Sequence, residues 1–265
     1  APYVIDSCRP SQQWPPNGKI EFRDFSMKYG ADLGYALKNV NVTINPGEKI
    51  GIVGRTGAGK SSLAKVLFRL VHKNTSGSIL IDGQDISEFG VGDYRAQLGM
   101  IPQESTMIDG SIRYNLDPLN EFDIEEMWSS LIKCNMVKAA SPYRRSDVNQ
   151  YDELDSDSEE SRASSGQQQL FGLCRVIMRK PKIIVLDEAT ANVDLETDKS
   201  VQELIRKEFS DCTVLTIAHR LDTIMNSDRI VVMDKGTIAE IGTPQELLSR
   251  DGMFAQLVKT SEFGQ

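Results

Sequence analysis

The sequence predicts an α/β domain built on a mainly parallel sheet, and two observations point there. From Lys182 onward, strand-like and helical runs alternate: "KIIVLDE", a helix from Thr197, "CTVLTIAH", then a short helix from Leu221. Strands that alternate with helices form a parallel sheet covered on both faces. Upstream, the glycine-rich stretch "GRTGAGKSS" (residues 54–62) lies between strand-like "KIGIV" and a helical run from Lys60 to His72. Backbone that turns from a strand into a helix through glycines is built to meet an anion.

The remaining elements follow in chain order. Residues 1–18, "APYVIDSCRPSQQWPPNG", are proline-rich and aperiodic and predict a linker into the domain. "KIEFRDF" and "VNVTI" predict strands, and the Pro46-Gly47 turn precedes "KIGIV". "GSILIDG" is expected to be a strand ended by a turn. Ser111 to Ala140 carries a helical pattern, which predicts a helical insertion spanning about 104–180. "DRIVVMDKGTIAEIG" predicts a hairpin turning at Lys235-Gly236. "YDELDSDSEES", residues 151–161, sets six carboxylates around serines and a single leucine. Such a run predicts a solvated, mobile loop, because too little apolar surface offsets its ordering entropy.

Composition narrows the function. The 265 residues suffice for one large domain or two small ones, and the net charge of −8 argues against nucleic acid as a partner. Cys8, Cys134, Cys174 and Cys212 are far apart in the sequence, and there are only two histidines. This predicts reduced thiols in a cytosolic setting rather than a disulfide framework or a metal cluster. No apolar run reaches bilayer-spanning length and no signal peptide opens the chain, so this stretch is not expected to cross a membrane.

The chemistry starts at residues 54–62, which match the phosphate-loop pattern G-x-x-x-x-G-K-[ST] in full. Gly54, Gly57 and Gly59 let the backbone curl so that N–H groups point at phosphate oxygens. Arg55, Thr56, Ala58 and Ser62 complete the loop. Lys60 places a point charge on the β- and γ-phosphates, and the Ser61 hydroxyl can ligate magnesium.

"IIVLDE" is an apolar strand ending in two carboxylates. Asp187 is expected to hold magnesium through water, and Glu188 to polarise the attacking water. A strand ending in Asp-Glu means little alone; its weight comes from a phosphate loop expected on a neighbouring strand. Gln103 in "MIPQE" follows a strand and can reach metal and water. His219 in "TIAHRL" ends another strand, although a lone histidine there is more often structural. Tyr29 in "SMKYG" can stack on a base, although most such tyrosines are merely half-buried. In "ESRASSGQQQLFGL", Ser164 and Gln167 are spaced as a capping box, and the glycine and hydroxyls at that helix start suit phosphate.

The order of these stretches resembles the nucleotide-binding domain of an ATP-binding-cassette (ABC) transporter, from Lys19 to about Lys259. Tyr29 is similar to the aromatic loop, "GRTGAGKS" to the phosphate loop, Gln103 to the glutamine loop and "ASSGQ" to the signature. "IIVLDE" is similar to the magnesium strand, "ATANVD" with Asp194 to the D-loop, and His219 to the switch histidine. "LDEATANVDLETD" and "CTVLTIAHRLDTIM" most resemble the second cassette of the multidrug-resistance-associated (C) subfamily. The resemblance implies a phosphate-loop NTPase core with an antiparallel N-terminal β subdomain and a helical signature subdomain. It also implies ATP and magnesium as ligands, and a partner cassette bound head to tail. Transmembrane domains of the same transporter and a place at the cytoplasmic face of a membrane follow from it too.

Ser164, Ser165, Gly166 and Gln167 would then grip the γ-phosphate held by that partner. Here the usual leading leucine is Ala163, the first usual glycine is Ser165, and Gln168 stands for a usual arginine.

Three functions compete: an exporter's ATP-hydrolysing motor, a nucleotide-sensing cassette that regulates a channel, and a DNA-repair or chromosome ATPase. The acidic charge and the lack of sustained heptads count against the third. Single-turnover hydrolysis set against ADP affinity separates the first two.

Overall fold

The computed structural model describes residues 2–262 except 12, 104–106, 137–153, 155–156, 159–164, 188–194 and 219–222. Two compact units make up the chain: residues 1–99, 182–188 and 211–265 form the first, residues 100–181 and 189–210 the second.

The first unit opens with an antiparallel sheet. β1 (Ile20–Lys28) pairs with both β2 (Tyr35–Ile44) and β4 (Thr75–Ile81), and β5 (Gln84–Asp85) extends the edge. Its second sheet runs in the order β12-β11-β3-β10-β9-β6. These strands are β3 (Lys49–Val53), β6 (Leu98–Ile101), β9 (Ile183–Asp187), β10 (Thr213–Ile217), β11 (Arg229–Asp234) and β12 (Thr237–Gly242). β11, β3, β10 and β9 are parallel neighbours, and β12 closes one edge antiparallel. Ile183 to Leu186 and Ile230 to Met233 are continuously buried, as strands covered on both faces must be. One covering layer is C-terminal: Leu247 of α7 (Pro244–Ser249) and Phe254 of α8 (Met253–Glu262) pack with Val53, Ile230 and Val232.

α1 spans Lys60–Leu67, shorter than the periodicity to His72 predicts. Its end is fixed from outside, by α2 (Val91–Ala96). The Tyr94 hydroxyl donates to Leu67 O, Arg95 Nε to Phe68 O at 2.8 Å and Arg95 Nη2 to Arg69 O at 3.0 Å. Those carbonyls are taken before a further turn can form, and Arg69 turns left-handed with φ 52°.

The first eighteen residues pack onto the domain more closely than a linker requires. Trp14 is buried against Phe89 and Tyr94, and Asp82 accepts from the backbone N–H groups of Asn17, Gly18 and Lys19 at 2.8–3.0 Å.

In the second unit, the expected insertion between Ser111 and Ala140 includes α3 (Ile112–Leu116) and α4 (Ile124–Lys133). Ser111 and Asp123 cap them through their side chains. α4 packs on α5 (Ser165–Arg179), which in turn meets α6 (Leu195–Glu208). Two features of this unit are not visible in the sequence. Cys134 and Cys174, remote in sequence, are in side-chain contact; both are free and buried. The hydrogen bond with Cys174 and then burial push the Cys134 thiol far above its ordinary range. Of the acidic run 151–161, Leu154, Asp157 and Ser158 are described and the rest of the expected mobile loop lies outside the described residues; Leu154 is fully buried, and β8 (Asp157–Ser158) pairs antiparallel with β7 (Gly110–Ser111). The one leucine in that run supplies an apolar anchor that a count of charges overlooks.

Glu48 and Arg229 join the chain's early and late parts. Arg229 Nε and Nη2 both donate to the Glu48 carboxylate, and Asn45 N donates to Oε2 at 2.7 Å. Burial raises the Glu48 pKa, but these donors outweigh it and hold the carboxyl below its ordinary 4.5. The pair therefore stabilises the fold above that value, and the contribution is lost as pH falls through the lower folded pKa. Glu48→Gln should lower stability by about 1–3 kcal/mol at neutral pH. In thermal unfolding across pH, the gap to wild type should narrow as pH falls below the ordinary 4.5 and through the lowered folded pKa.

Candidate functional site

β3 runs into the phosphate loop, and the loop runs into α1. Gly54 has φ 148° and Gly59 φ 107°, conformations that a side chain opposes. The loop is also held from behind. A Cβ on Gly54 would lie 2.3 Å from Met233 O, at the end of β11, and one on Gly59 would lie 2.9 Å from Ala36 O, in β2. Gly236 N, in the turn between β11 and β12, donates to Ala58 O at 2.9 Å, and Lys38 N donates to Gly236 O at 2.8 Å. Two strands thus shape the loop without reaching its open side, where Arg55, Thr56, Gly57 and Ser61 are exposed.

The loop's charge is set by Lys60. Its ammonium donates to Gly54 O at 2.8 Å and Arg55 O at 3.4 Å, and the residue is only 6% exposed. The α1 N-cap is Gly59, which has no side chain with which to cap the helix. Its first-turn N–H groups and helix dipole therefore add positive potential beside Lys60. Tyr29 directly follows β1 and is half exposed. Its hydroxyl shares a 3.0 Å hydrogen bond with Ser62 Oγ in α1, and Lys65 Nζ lies 5.7 Å from its ring centroid. An exposed ring is thereby tied to the first turns of α1.

Asp187 ends β9, partly exposed. The expectation that its strand neighbours that of the phosphate loop is corrected: β10 lies between β3 and β9 and pairs with both. Chain order does not reveal strand order, because a crossover helix can carry the next strand past an intervening position. Gln103 is exposed after β6, and its carbonyl receives Gln169 Nε2 from α5 at 3.1 Å. Ser165 begins α5, with Gly166 and Gln167 following it in the first turn. Glu188, His219, Ser164 and Asp194 lie outside the described residues.

Sequence reasoning passes over Ala36, Gly236 and Gln169. Lys235-Gly236 is visible as a hairpin turn, but nothing in the sequence says that the turn closes on the phosphate loop. Gln169 sits within a run of three glutamines that carries no spacing signal.

Residues 37–191, more than half of the chain, match the family model described as ABC transporter. The chain belongs to this family. Residues are 47% identical over 98% of the chain to the rat (Rattus norvegicus) "ATP-binding cassette sub-family C member 2", and 47% over 97% to the maize (Zea mays) "ABC transporter C family MRP4". The chain spans only 16% and 17% of these relatives. Among solved structures, a bacterial Atm1-family ABC exporter with ATP bound superposes with a TM-score of 0.85 at 30% identity. That likeness covers 98% of this chain and 44% of the exporter chain. This chain is thus an ABC cassette of the multidrug-resistance-associated type, from a family that hydrolyses ATP in transport.

Gly236 offers a direct check on the loop's support. Its φ is 82°, and a Cβ there would lie 2.8 Å from Ala36 O. Gly236→Ala should cost about 1–2 kcal/mol for the left-handed conformation alone and should weaken ATP binding by displacing the Ala58 contact. Calorimetric titration with ATP alongside thermal unfolding measures both.

Proposed function

We propose that this cassette is the ATP-binding and ATP-hydrolysing motor of an exporter, in the position of a second C-subfamily cassette. It would pair head to tail with a first cassette and work at the cytoplasmic face of a membrane beneath transmembrane domains of the same protein. The observation that carries this reading is the phosphate loop, shaped from behind by two strands and open on the side of Lys60 and the α1 N-terminus.

In this reading, Lys60 moves its ammonium from the loop carbonyls to the β- and γ-phosphate oxygens, exchanging neutral acceptors for charged ones. The first-turn N–H groups of α1 meet the same phosphates, and the Tyr29 ring stacks on the base. The Ser61 hydroxyl and the Asp187 carboxylate are hard oxygen donors that suit magnesium, which when bound would neutralise charge on the phosphate oxygens. Glu188 orients and polarises the attacking water, with Gln103 and His219 completing the set; these three roles rest on the resemblance. Ser164, Ser165, Gly166 and Gln167 would close the partner's site, with Asp194 in the D-loop beside it. Retaining ATP there needs ground-state contacts more than transition-state ones, which leaves room for Ala163 and Ser165.

Glu188→Gln should keep ATP affinity and abolish turnover, whereas Lys60→Ala should lose a charge-assisted contact of about 1.5–3 kcal/mol in binding. Titration with ATP and steady-state phosphate release, with a functional partner cassette, check both. Equal turnover by wild type and Glu188→Gln would remove the assignment. Alone, the chain should hydrolyse slowly, because half of the stabilisation of the transferring phosphoryl group is missing. Fast hydrolysis first-order in protein, where sizing gives only monomer, would contradict this.

A further inference from the structure

The N-terminal segment has no part in the phosphate chemistry, yet it is fastened to the domain at three points. Pro2 O and Tyr3 O accept from Val91 N at 3.1 Å and Gly92 N at 2.8 Å. Trp14 lies with its ring centroid 4.7 Å from that of Phe89 and 5.9 Å from that of Tyr94, and is 5% exposed. Asp82 holds the exit through the N–H groups of Asn17 to Lys19.

The approach at the first point is close. A Cβ on Gly90 would lie 2.7 Å from both Tyr3 O and Val4 Cα and 2.9 Å from Ile5 N, all backbone atoms that cannot swing aside.

What lies under Trp14 matters more than the tightness. Tyr94 is fully buried, and its hydroxyl donates to Leu67 O, the last residue of α1. The next residue of α2, Arg95, holds the following two carbonyls, and Arg69 Nη1 donates to Phe89 O and Ile86 O. Phe89 and Tyr94, the two rings against Trp14, therefore both belong to the clamp on the C-terminal end of α1. The other end of α1 is Lys60. Eight residues of helix, about 12 Å, separate the clamp from the phosphate loop, and a helix this short moves as one rod.

We propose that the strap of residues 2–17 positions the phosphate loop: docking of Trp14 on Phe89 and Tyr94 fixes α1, so that strap docking and ATP binding stabilise each other. Trp14 is a positioning residue in this arrangement, acting through Tyr94 and α1. The proposal rests on residues 54–62 being the ATP site. Thermodynamic linkage makes the coupling reciprocal: whatever factor docking contributes to ATP affinity, ATP returns to docking. The strap can therefore set nucleotide affinity without touching the nucleotide.

The experiment uses the 265-residue chain with Mg-ATP as the probe. The amides of Val91 and Gly92 open α2, so they lack helical partners and their exchange reports the strap alone. Saturating ATP should slow their hydrogen exchange. Trp14→Ala should raise the ATP dissociation constant roughly 5- to 20-fold, with Trp14→Phe restoring most of it. Gly90→Ala, whose nearest contacts are strap backbone, should speed exchange at Val91 and Gly92 and weaken ATP binding in the same direction. Should Trp14→Ala fail to fold, Gly90→Ala and the wild-type exchange still decide. Exchange indifferent to ATP, or Gly90→Ala that frees the strap yet binds ATP as wild type does, overturns the coupling alone. A wild-type chain that binds no ATP overturns the site reading, and the coupling with it.

Discussion

The phosphate loop keeps its shape because backbone from two other strands closes on it from behind. A loop of three glycines in six residues has little conformational preference of its own, and glycine loses more entropy on ordering than any other residue. The Ala58–Gly236 hydrogen bond and the close approach of Ala36 and Met233 carbonyls supply that order from β2 and the β11–β12 hairpin. The sheet must therefore be assembled before the loop has a defined form. The parallel strands β11, β3 and β10 carry the load of that assembly, being buried and apolar along most of their length.

Around this frame, buried polar groups are mostly given fixed partners. Asp82 takes three backbone N–H groups, Thr213 Oγ1 donates to Gly18 O at 2.7 Å, Tyr94 and Arg95 take the carbonyls where α1 stops, and Arg69 donates to those of Ile86 and Phe89. Each contact joins segments far apart in sequence, which makes the first unit stiff where it borders the loop. Lys60 is held in the same way, by carbonyls of its own loop. The desolvation cost of its ammonium has thus been met in folding.

Elements with a strong period or a local turn signal were legible from the residues. "KIGIV", "IIVLD" and "TVLTI" are strands where alternation with helices placed them, and Lys235-Gly236 turns the expected hairpin. Local signals failed where a distant partner decides. The end of α1 is set by α2 side chains 26 or 27 residues on, and Leu154 is buried although its neighbours in sequence are carboxylates. The proline-rich start carries no period because, among its described residues, a 3-10 turn at Asp6–Cys8 is its only regular element, yet a tryptophan ring and two backbone carbonyls dock it.

By itself the sequence determined the chemistry on offer: which residues could grip phosphate, ligate a metal or polarise water, and in what order they occur. Those properties reside in single side chains and short spacings, so they survive without coordinates. Only the tertiary structure decided neighbourhood. It put β10 between β3 and β9, set Tyr29 against Ser62, joined Gln169 to Gln103 and brought Trp14 to the clamp on α1. Such pairings depend on how buried surfaces and backbone partners are shared out over the whole chain, a balance of many small free energies that no local pattern records.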